Sequence, residues 1–482
     1  MTLTSNAEAR ENLDAERPLR ILQVSTFDIS GGAEKVAWNL FQAYRTRGFE
    51  SWLAVGTKRS DDPDIISIPK SNERSSWGRP WLTLEKRLQS HKGIGYAVCR
   101  AFLRAVANPF NELGPRLGVE DFNHPGTHRL LGLAPQRPDV IHCHNLHGGY
   151  FDLRVLPSLS RQVPVLLTLH DAWLLSGHCS HSFACERWKL GCGRCPDLTI
   201  YPRIHRDATA YNWRRKRGIF AKCRLYVATP CQWLMQKVEQ SILAPAIEQA
   251  SVIPYGIELN VFRPAPKHQA RALLGLSQDA EVLVFAANQA RRNMFKDYQT
   301  MRTALARVAA HSTRRRLQLI AVGEDLPTER IGQAEVRFVP YQKDPEVMAR
   351  YYQAADVYLH AAKADTFPNA VLEALACGTP VVATAVGGIP EQVKGLESMS
   401  CGSSAMGMNT YGLHEATGVL AAPGDAETIA NAVEQLLDDE NLRQRLGQNA
   451  AKDARKRFDL ERQVNNYLDW YKELLMLRSH EL

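Results

Sequence analysis

The densest stretch of chemistry in the chain is Asp365-Thr366-Phe367-Pro368-Asn369-Ala370-Val371-Leu372-Glu373-Ala374-Leu375-Ala376-Cys377-Gly378. Pro368 suits a first helical turn, and Asp365 or Thr366 can supply a capping oxygen. Gly378 stands where a left-handed residue ends a helix. Between these marks almost every residue is apolar except Glu373. A carboxylate on a helix packed that closely is costly without a hydrogen-bonding partner. The start of the helix also offers backbone N–H groups to an anion such as a diphosphate. Two readings follow for the two acids. Either they bind a ligand, or Asp365 is a cap and Glu373 pairs with a buried arginine or a backbone amide.

Three further groups carry reactive side chains. His170 ends the apolar run Pro164–Leu169 and enters a loop, where ligand groups sit in a doubly wound sheet. His142, His144 and His147 follow a similar run. A strand alternates faces, so these residues read better as lining a strand end than as a metal site. The third group is His178-Cys179-Ser180-His181, Cys185 and Gly191-Cys192-Gly193-Arg194-Cys195. Cys192 and Cys195 have the spacing of a zinc knuckle, and Cys179 with Cys185 would complete four thiolates, with His178 or His181 able to replace one. A metal would order a loop that has little apolar content. Unligated thiols, or a disulfide in an exported protein, are the alternatives.

The elements that must position these groups alternate along the chain. Apolar runs at Leu19–Val24, Trp52–Val55, Val140–Cys143, Pro164–Leu169 and Leu225–Ala228 predict parallel strands, with a glycine turn at 28–32 and a helix from Ala33 to about Arg47. A second series reads at Val282–Ala286, Leu317–Ala321, Val336–Val339, Val357–His360 and Pro380–Thr384, and a three-helix tail follows from Asp425. Prolines and glycine between Ile253 and Pro266 mark a linker. The expected architecture is α/β: two Rossmann-like doubly wound domains, 19–255 and 256–462, with a helix over 463–482. The first carries a Cys-rich loop at 178–196 and a basic, aromatic insertion at 71–133.

Composition fits large cores and excludes other classes. With 482 residues, 45% hydrophobic and 23% charged, the chain is neither disordered nor a disulfide-dense secreted domain. It holds no apolar run long enough to span a bilayer. The polar opening MTLTSNAEAR lacks the apolar centre of a signal peptide, which predicts a cytoplasmic protein. The formal charge of +8 favours anionic partners without choosing among them.

At this point the sequence resembles the GT-B glycosyltransferases of the retaining family 4 type. Their paired acids, separated by seven intervening positions, match Asp365 and Glu373, although the first is usually Glu. The likeness continues through Cys377-Gly378-Thr379-Pro380, Gly387-Gly388-Ile389-Pro390-Glu391 and Thr417-Gly418-Val419-Leu420. Upstream it includes Ser30-Gly31-Gly32-Ala33-Glu34, Thr168-Leu169-His170-Asp171 and Val252-Ile253-Pro254-Tyr255-Gly256.

The resemblance implies a retaining transferase whose two domains face a cleft. Glu373 would bind the ribose hydroxyls, Asp365 would lie near the transferred sugar, and the backbone of Phe367, Pro368 and Asn369 would meet sugar and phosphate oxygens. Gly31 and Gly32 would let backbone approach the donor phosphates. His170 would lie beside the scissile bond. Lys296, with Arg291 or Arg292, would face the diphosphate, although Asp297 replaces the family's glycine. Lys and Arg can neutralise a leaving diphosphate, so no cofactor is needed for catalysis.

The last helix would cross back onto the first domain. The donor would be a nucleotide-diphosphate sugar and the acceptor a glycan or lipid-linked sugar in cell-surface polysaccharide synthesis, with no nucleic-acid partner. Basic residues among aromatics (Arg74, Arg79, Lys86, Arg87, Lys92, Arg100 and Arg104 near Trp77, Trp81 and Phe102, then Arg214 to Arg217 after Trp213) suit peripheral contact with an anionic membrane, at the inner face of the plasma membrane. The rival readings are a sugar-nucleotide epimerase or hydrolase on the same plan, a zinc-containing binding protein, and an inactive relative.

Overall fold

The computed structural model describes residues 17–69, 78–91, 93–107, 114, 116–311, 316–400 and 409–479. Arg74, Trp77 and Lys92 of the basic insertion lie outside the described residues. The chain divides into two compact units, the first of residues 1–228, 237–251 and 468–482, the second of 229–236 and 252–467.

The first unit is built on seven strands: β1 (Arg20–Phe27), β2 (Glu50–Thr57), β3 (Ile65–Ser67), β4 (Val140–Cys143), β5 (Val165–Thr168), β6 (Leu225–Thr229) and β7 (Ile247–Val252). Their order is β3-β2-β1-β4-β5-β6-β7. The pairs from β3 to β6 are parallel, with Val24 opposite both Ala54 and Cys143. β1 is buried along its length, as a parallel strand covered on both faces must be. It runs three residues past the expected Val24, because Ser25 and Thr26 are polar yet buried and so broke the apolar pattern. Helix α1 (Gly32–Thr46) turns Val36, Ala37, Leu40, Phe41 and Tyr44 inward. The order reverses between β1 and β4, and in such sheets ligands bind beyond the strand ends at that reversal.

The short strand β3 escaped the sequence reading because three residues show no periodicity. β7 escaped it because Glu248 and Ala250 are exposed and its pattern is not apolar. Helix α2 (Thr209–Phe220) carries the run Arg214 to Arg217. Only part of that run faces outward. Lys216 is wholly buried, 3.0 Å from Glu120 Oε1, donating to the carbonyls of Trp173 and Ser176, and its ammonium sits 3.7 Å from the centre of the Trp173 ring. A buried cation needs such company. Reading Lys216 as part of a surface patch is therefore corrected.

The second unit holds nine strands: β8 (Glu281–Ala286), β9 (Leu317–Val322), β10 (Glu329–Ile331), β11 (Ala334–Val339), β12 (Val357–His360), β13 (Val381–Thr384), β14 (Gly395–Leu396), β15 (Thr410–Tyr411) and β16 (Gly418–Ala421). They lie in the order β10-β11-β9-β8-β12-β13-β16-β14-β15. Only the β10–β11 pair is antiparallel among those described. The reversal falls between β8 and β12. Helices α3 (Tyr298–His311), α4 (Asn369–Ala376), α5 (Ala426–Asp438) and α6 (Glu440–Arg457) precede α7 (Leu460–Ser479), whose residues from Leu468 belong to the first unit. Asp425 and Asp439 cap α5 and α6 through the amides of Thr428 and Leu442, both at 2.9 Å.

The proline-rich linker does not run free. Gly256 donates its N–H to Gln463 Oε1 at 2.9 Å, and a Cβ there would stand 2.4 Å from Leu460 Cα.

Candidate active site

In the second unit the reversal point gathers three side chains. The loop after β8 pairs with the loop after β12: Asp297 donates its N–H to the Ala361 carbonyl, and Lys363 donates to that of Phe295. This brings Lys296 Nζ to 2.5 Å from Asp365 Oδ2 and 3.2 Å from His360 Nε2. His360 Nδ1 lies 3.2 Å from the Tyr358 hydroxyl. The sequence reading passed over His360, although a histidine closing a strand at the reversal point was a usable signal. Burial, with Lys296 beside the ring, pulls its pKa down to about 4, so the ring is neutral. Burial pushes the Asp365 carboxyl up, but Lys296 and His360 outweigh it and hold it well below the carboxylate range.

Asp365 is therefore an ion-pair partner, not a helix cap. No side chain caps α4: Pro368 occupies the capping position, and Thr366 Oγ1 has no partner. Asp297, where the family has glycine, is an N-cap for α3, bonding the Thr300 amide at 3.2 Å and its hydroxyl at 2.8 Å.

On α4, Glu373 is buried and accepts a hydrogen bond from the Tyr352 hydroxyl at 2.9 Å. This partner is a phenol; the arginine or backbone amide was the alternative reading of the sequence. The Phe367 ring is packed edge-on against Tyr255 and Phe458, which leaves its backbone as the part able to meet a ligand. The Pro368 carbonyl accepts from Gln392 at 3.1 Å, and Asn369 opens α4. Arg291 and Arg292 are both exposed. The Arg291 guanidinium lies 5.8 Å from the ring centres of Tyr298 and Phe338.

In the first unit Gly31 and Gly32 follow β1, and the Gly31 N–H bonds Glu34 Oε2 at 3.1 Å. His170 is buried beyond β5, with Nε2 3.0 Å from His144 Nδ1. Burial takes its pKa down to about 4. Beside it, His147 Nε2 pairs with Asp171 Oδ2 at 2.8 Å. Burial opposes the charge on His147, but Asp171 outweighs it and raises the pKa.

These two half-sites sit at the reversal points of two parallel sheets, and two family models divide the chain in the same way. The model described as Glycosyltransferase Family 4 matches residues 30–261, and that of Glycosyl transferases group 1 matches residues 270–453. The chain belongs to the GT-B glycosyltransferases of the family 4 type.

Relatives of this family 4 chain include D-inositol 3-phosphate glycosyltransferase 1 of Catenulispora acidiphila, 29% identical over 54% of this chain and 59% of the relative. The D-inositol 3-phosphate glycosyltransferase of Thermobispora bispora is 34% identical over 40% of this chain and 43% of its own length. The chain thus spans about half the length of those two relatives. WcaC of Escherichia coli K12, whose description names colanic acid biosynthesis, is 22% identical over 76% of this chain and 83% of its own. Among solved structures, sucrose-phosphate synthase of Thermosynechococcus elongatus aligns over 96% of this chain and 100% of its own, with a TM-score of 0.58 and 19% identity. HepE of Anabaena, solved with UDP and glucose, aligns over 94% and 99%, with a TM-score of 0.58 and 17% identity.

The cysteine loop of this family 4 chain holds free thiols at Cys179, Cys185, Cys192 and Cys195. The Gly177 N–H points at Cys192 Sγ at 3.3 Å, and His178 Nε2 is 3.3 Å from Cys195 Sγ. Burial pushes Cys179 up to about 11 and Cys192 up to about 12. Among the described residues, no group of three or more His, Cys, Asp or Glu side chains is placed to hold a metal ion.

Proposed function

We propose that this protein transfers a sugar, with retention, from a nucleoside-diphosphate sugar to a hydroxyl of a glycan or lipid-linked acceptor in cell-surface polysaccharide synthesis. The observation that carries the reading is the Lys296–Asp365–His360 cluster at the reversal point of the second sheet, with Glu373 on the adjoining helix. An ammonium has three donors. Asp365 and His360 take two, and the third is offered to a diphosphate oxygen. Asp365, held ionised, accepts from a hydroxyl of the transferred sugar, and Glu373 accepts from the ribose.

The bond from the anomeric carbon to the leaving phosphate oxygen breaks, and its electron pair goes to the phosphate. The acceptor oxygen bonds to the same face of that carbon and passes its proton to the departing phosphate. Lys296 stabilises the charge that develops there. His170 and the first unit serve the sugar and the acceptor. HepE, described with UDP-glucose, and WcaC, described under colanic acid biosynthesis, support the donor class and the pathway class.

Contact with an anionic membrane face on the cytoplasmic side belongs to the same proposal. Helices Gly78–Arg87 and Ile94–Ala107 pack on each other; the first exposes Lys86 and Arg87, and the second exposes Tyr96, Val98 and Phe102. No helix among the described residues is long and apolar enough to cross a membrane.

The test is product analysis with UDP- and GDP-sugars and a panel of saccharide acceptors. We expect an acceptor-dependent product whose anomeric configuration matches the donor's. Inverted product, or donor consumed equally with no acceptor, would overturn the reading.

A further inference from the structure

Three buried side chains form a hydrogen-bonded line across the first sheet. Gln23 lies inside β1, His144 directly follows β4, and His170 follows β5 by two residues. Gln23 Oε1 is 2.9 Å from His144 Nε2, and His144 Nδ1 is 3.0 Å from His170 Nε2. All three are shielded from solvent, Gln23 completely. Both nitrogens of His144 are thus engaged, one on each side.

A carboxamide oxygen only accepts. The hydrogen between Gln23 and His144 therefore belongs to His144 Nε2. In a neutral imidazole the other nitrogen is then an acceptor, so His144 Nδ1 must receive its hydrogen bond from His170 Nε2–H. The His170 lone pair falls on Nδ1. Neutrality of the rings has a separate physical basis: burial lowers both histidines far enough that neither is charged near pH 7.

We propose that Gln23 and His144 are positioning residues that lock His170 in its Nε2–H tautomer, so that His170 accepts a hydrogen bond from a sugar hydroxyl at Nδ1. The inference rests on the role given to His170 in the proposed transfer. The line is a lock and not a proton wire, because an amide does not carry a proton onward. Turning the Gln23 amide over would put its NH2 against His144 Nε2 and reverse both rings, so one side chain sets what His170 offers. Gln23 Nε2 has no partner, so the amide is held mainly through its oxygen's bond to His144.

Nitrogen NMR of the full chain carrying labelled histidine tests this directly, with His144→Phe and His170→Ala used to assign signals. We expect the unaltered protein to show one tautomer at each ring, protonated at Nε2. Gln23→Met removes the accepting oxygen at similar volume, and His170 should then show both tautomers, with turnover down roughly tenfold and donor KM unchanged. A proton on His170 Nδ1 in the unaltered protein overturns the proposal, as does a Gln23→Met spectrum that keeps the single tautomer. If Gln23→Met fails to fold, the spectrum of the unaltered protein decides alone. The role of His170 in transfer is judged separately: His170→Ala with undiminished turnover would remove that role and leave the tautomer result standing.

Discussion

Asp365 differs from the family's usual Glu by one methylene, and the structure shows where the shorter side chain goes. It meets Lys296 at 2.5 Å, with its carboxylate mostly out of solvent. Breaking a buried pair by removing one partner leaves a charge uncompensated, at a cost of about 3 kcal/mol. Lys296→Met should therefore lower the melting temperature. The pH dependence has a definite sign. The folded pKa of Asp365 lies below its unfolded value, so the pair's contribution is fully present above about pH 4 and is lost as pH falls toward the folded value. The stability gap between the unaltered protein and Lys296→Met should be widest near neutrality and shrink in acid; a gap constant with pH would contradict the ion pair. Glu373→Ala is expected to weaken nucleotide binding by roughly 10- to 100-fold, the value of a hydrogen bond to a charged group. Calorimetry with UDP and GDP would show it.

At the scale of elements, the loop bearing Asp365 is set by its neighbours. Gly387 adopts φ of 58°, and a Cβ there would lie 1.8 Å from the Asp365 carbonyl oxygen. Gly388 sits against the Thr366 carbonyl, and the amide of Gly388 donates to it at 2.9 Å. The pair of glycines is the floor on which residues 365 and 366 rest. Gly387→Ala adds left-handed strain of about 1 kcal/mol or more and pushes that loop away. We expect a folded variant whose turnover falls more than its stability, read by comparing kcat with the melting temperature. The same reasoning explains which elements were legible. Strands covered on both faces, such as those around Val282 and Leu317, are continuous apolar runs. Two- and three-residue strands such as β14, β15 and β10 carry no period to detect.

For the whole molecule, the end of α7 matters because it completes the first unit. The Tyr471 hydroxyl lies 2.6 Å from His142 Nδ1 and 3.2 Å from that of Tyr44, all three buried. Trp470 adds a bond to Gln249 at 3.0 Å. Tyr471→Phe removes one hydrogen bond from each of His142 and Tyr44, and should cost about 1–3 kcal/mol of stability. Nucleotide affinity, placed in the second unit, should be unchanged; a parallel loss of UDP or GDP binding would contradict that placement.

What the sequence determined alone was the alternation of strands and helices and the places of its motifs along them, since apolar period and motif spacing are local properties. Gly378 at φ of 75° and the caps at Asp425 and Asp439 belong to the same local class. The partners were decided by tertiary structure. Lys296 and Asp365 are sixty-nine positions apart and Gln23 and His144 one hundred and twenty-one, and only strand order brings each pair together. Lys216 makes the same point in reverse. Four consecutive basic residues look alike in a sequence, but a helix turns one of them inward, and there burial makes an ion pair with Glu120 its condition for remaining charged.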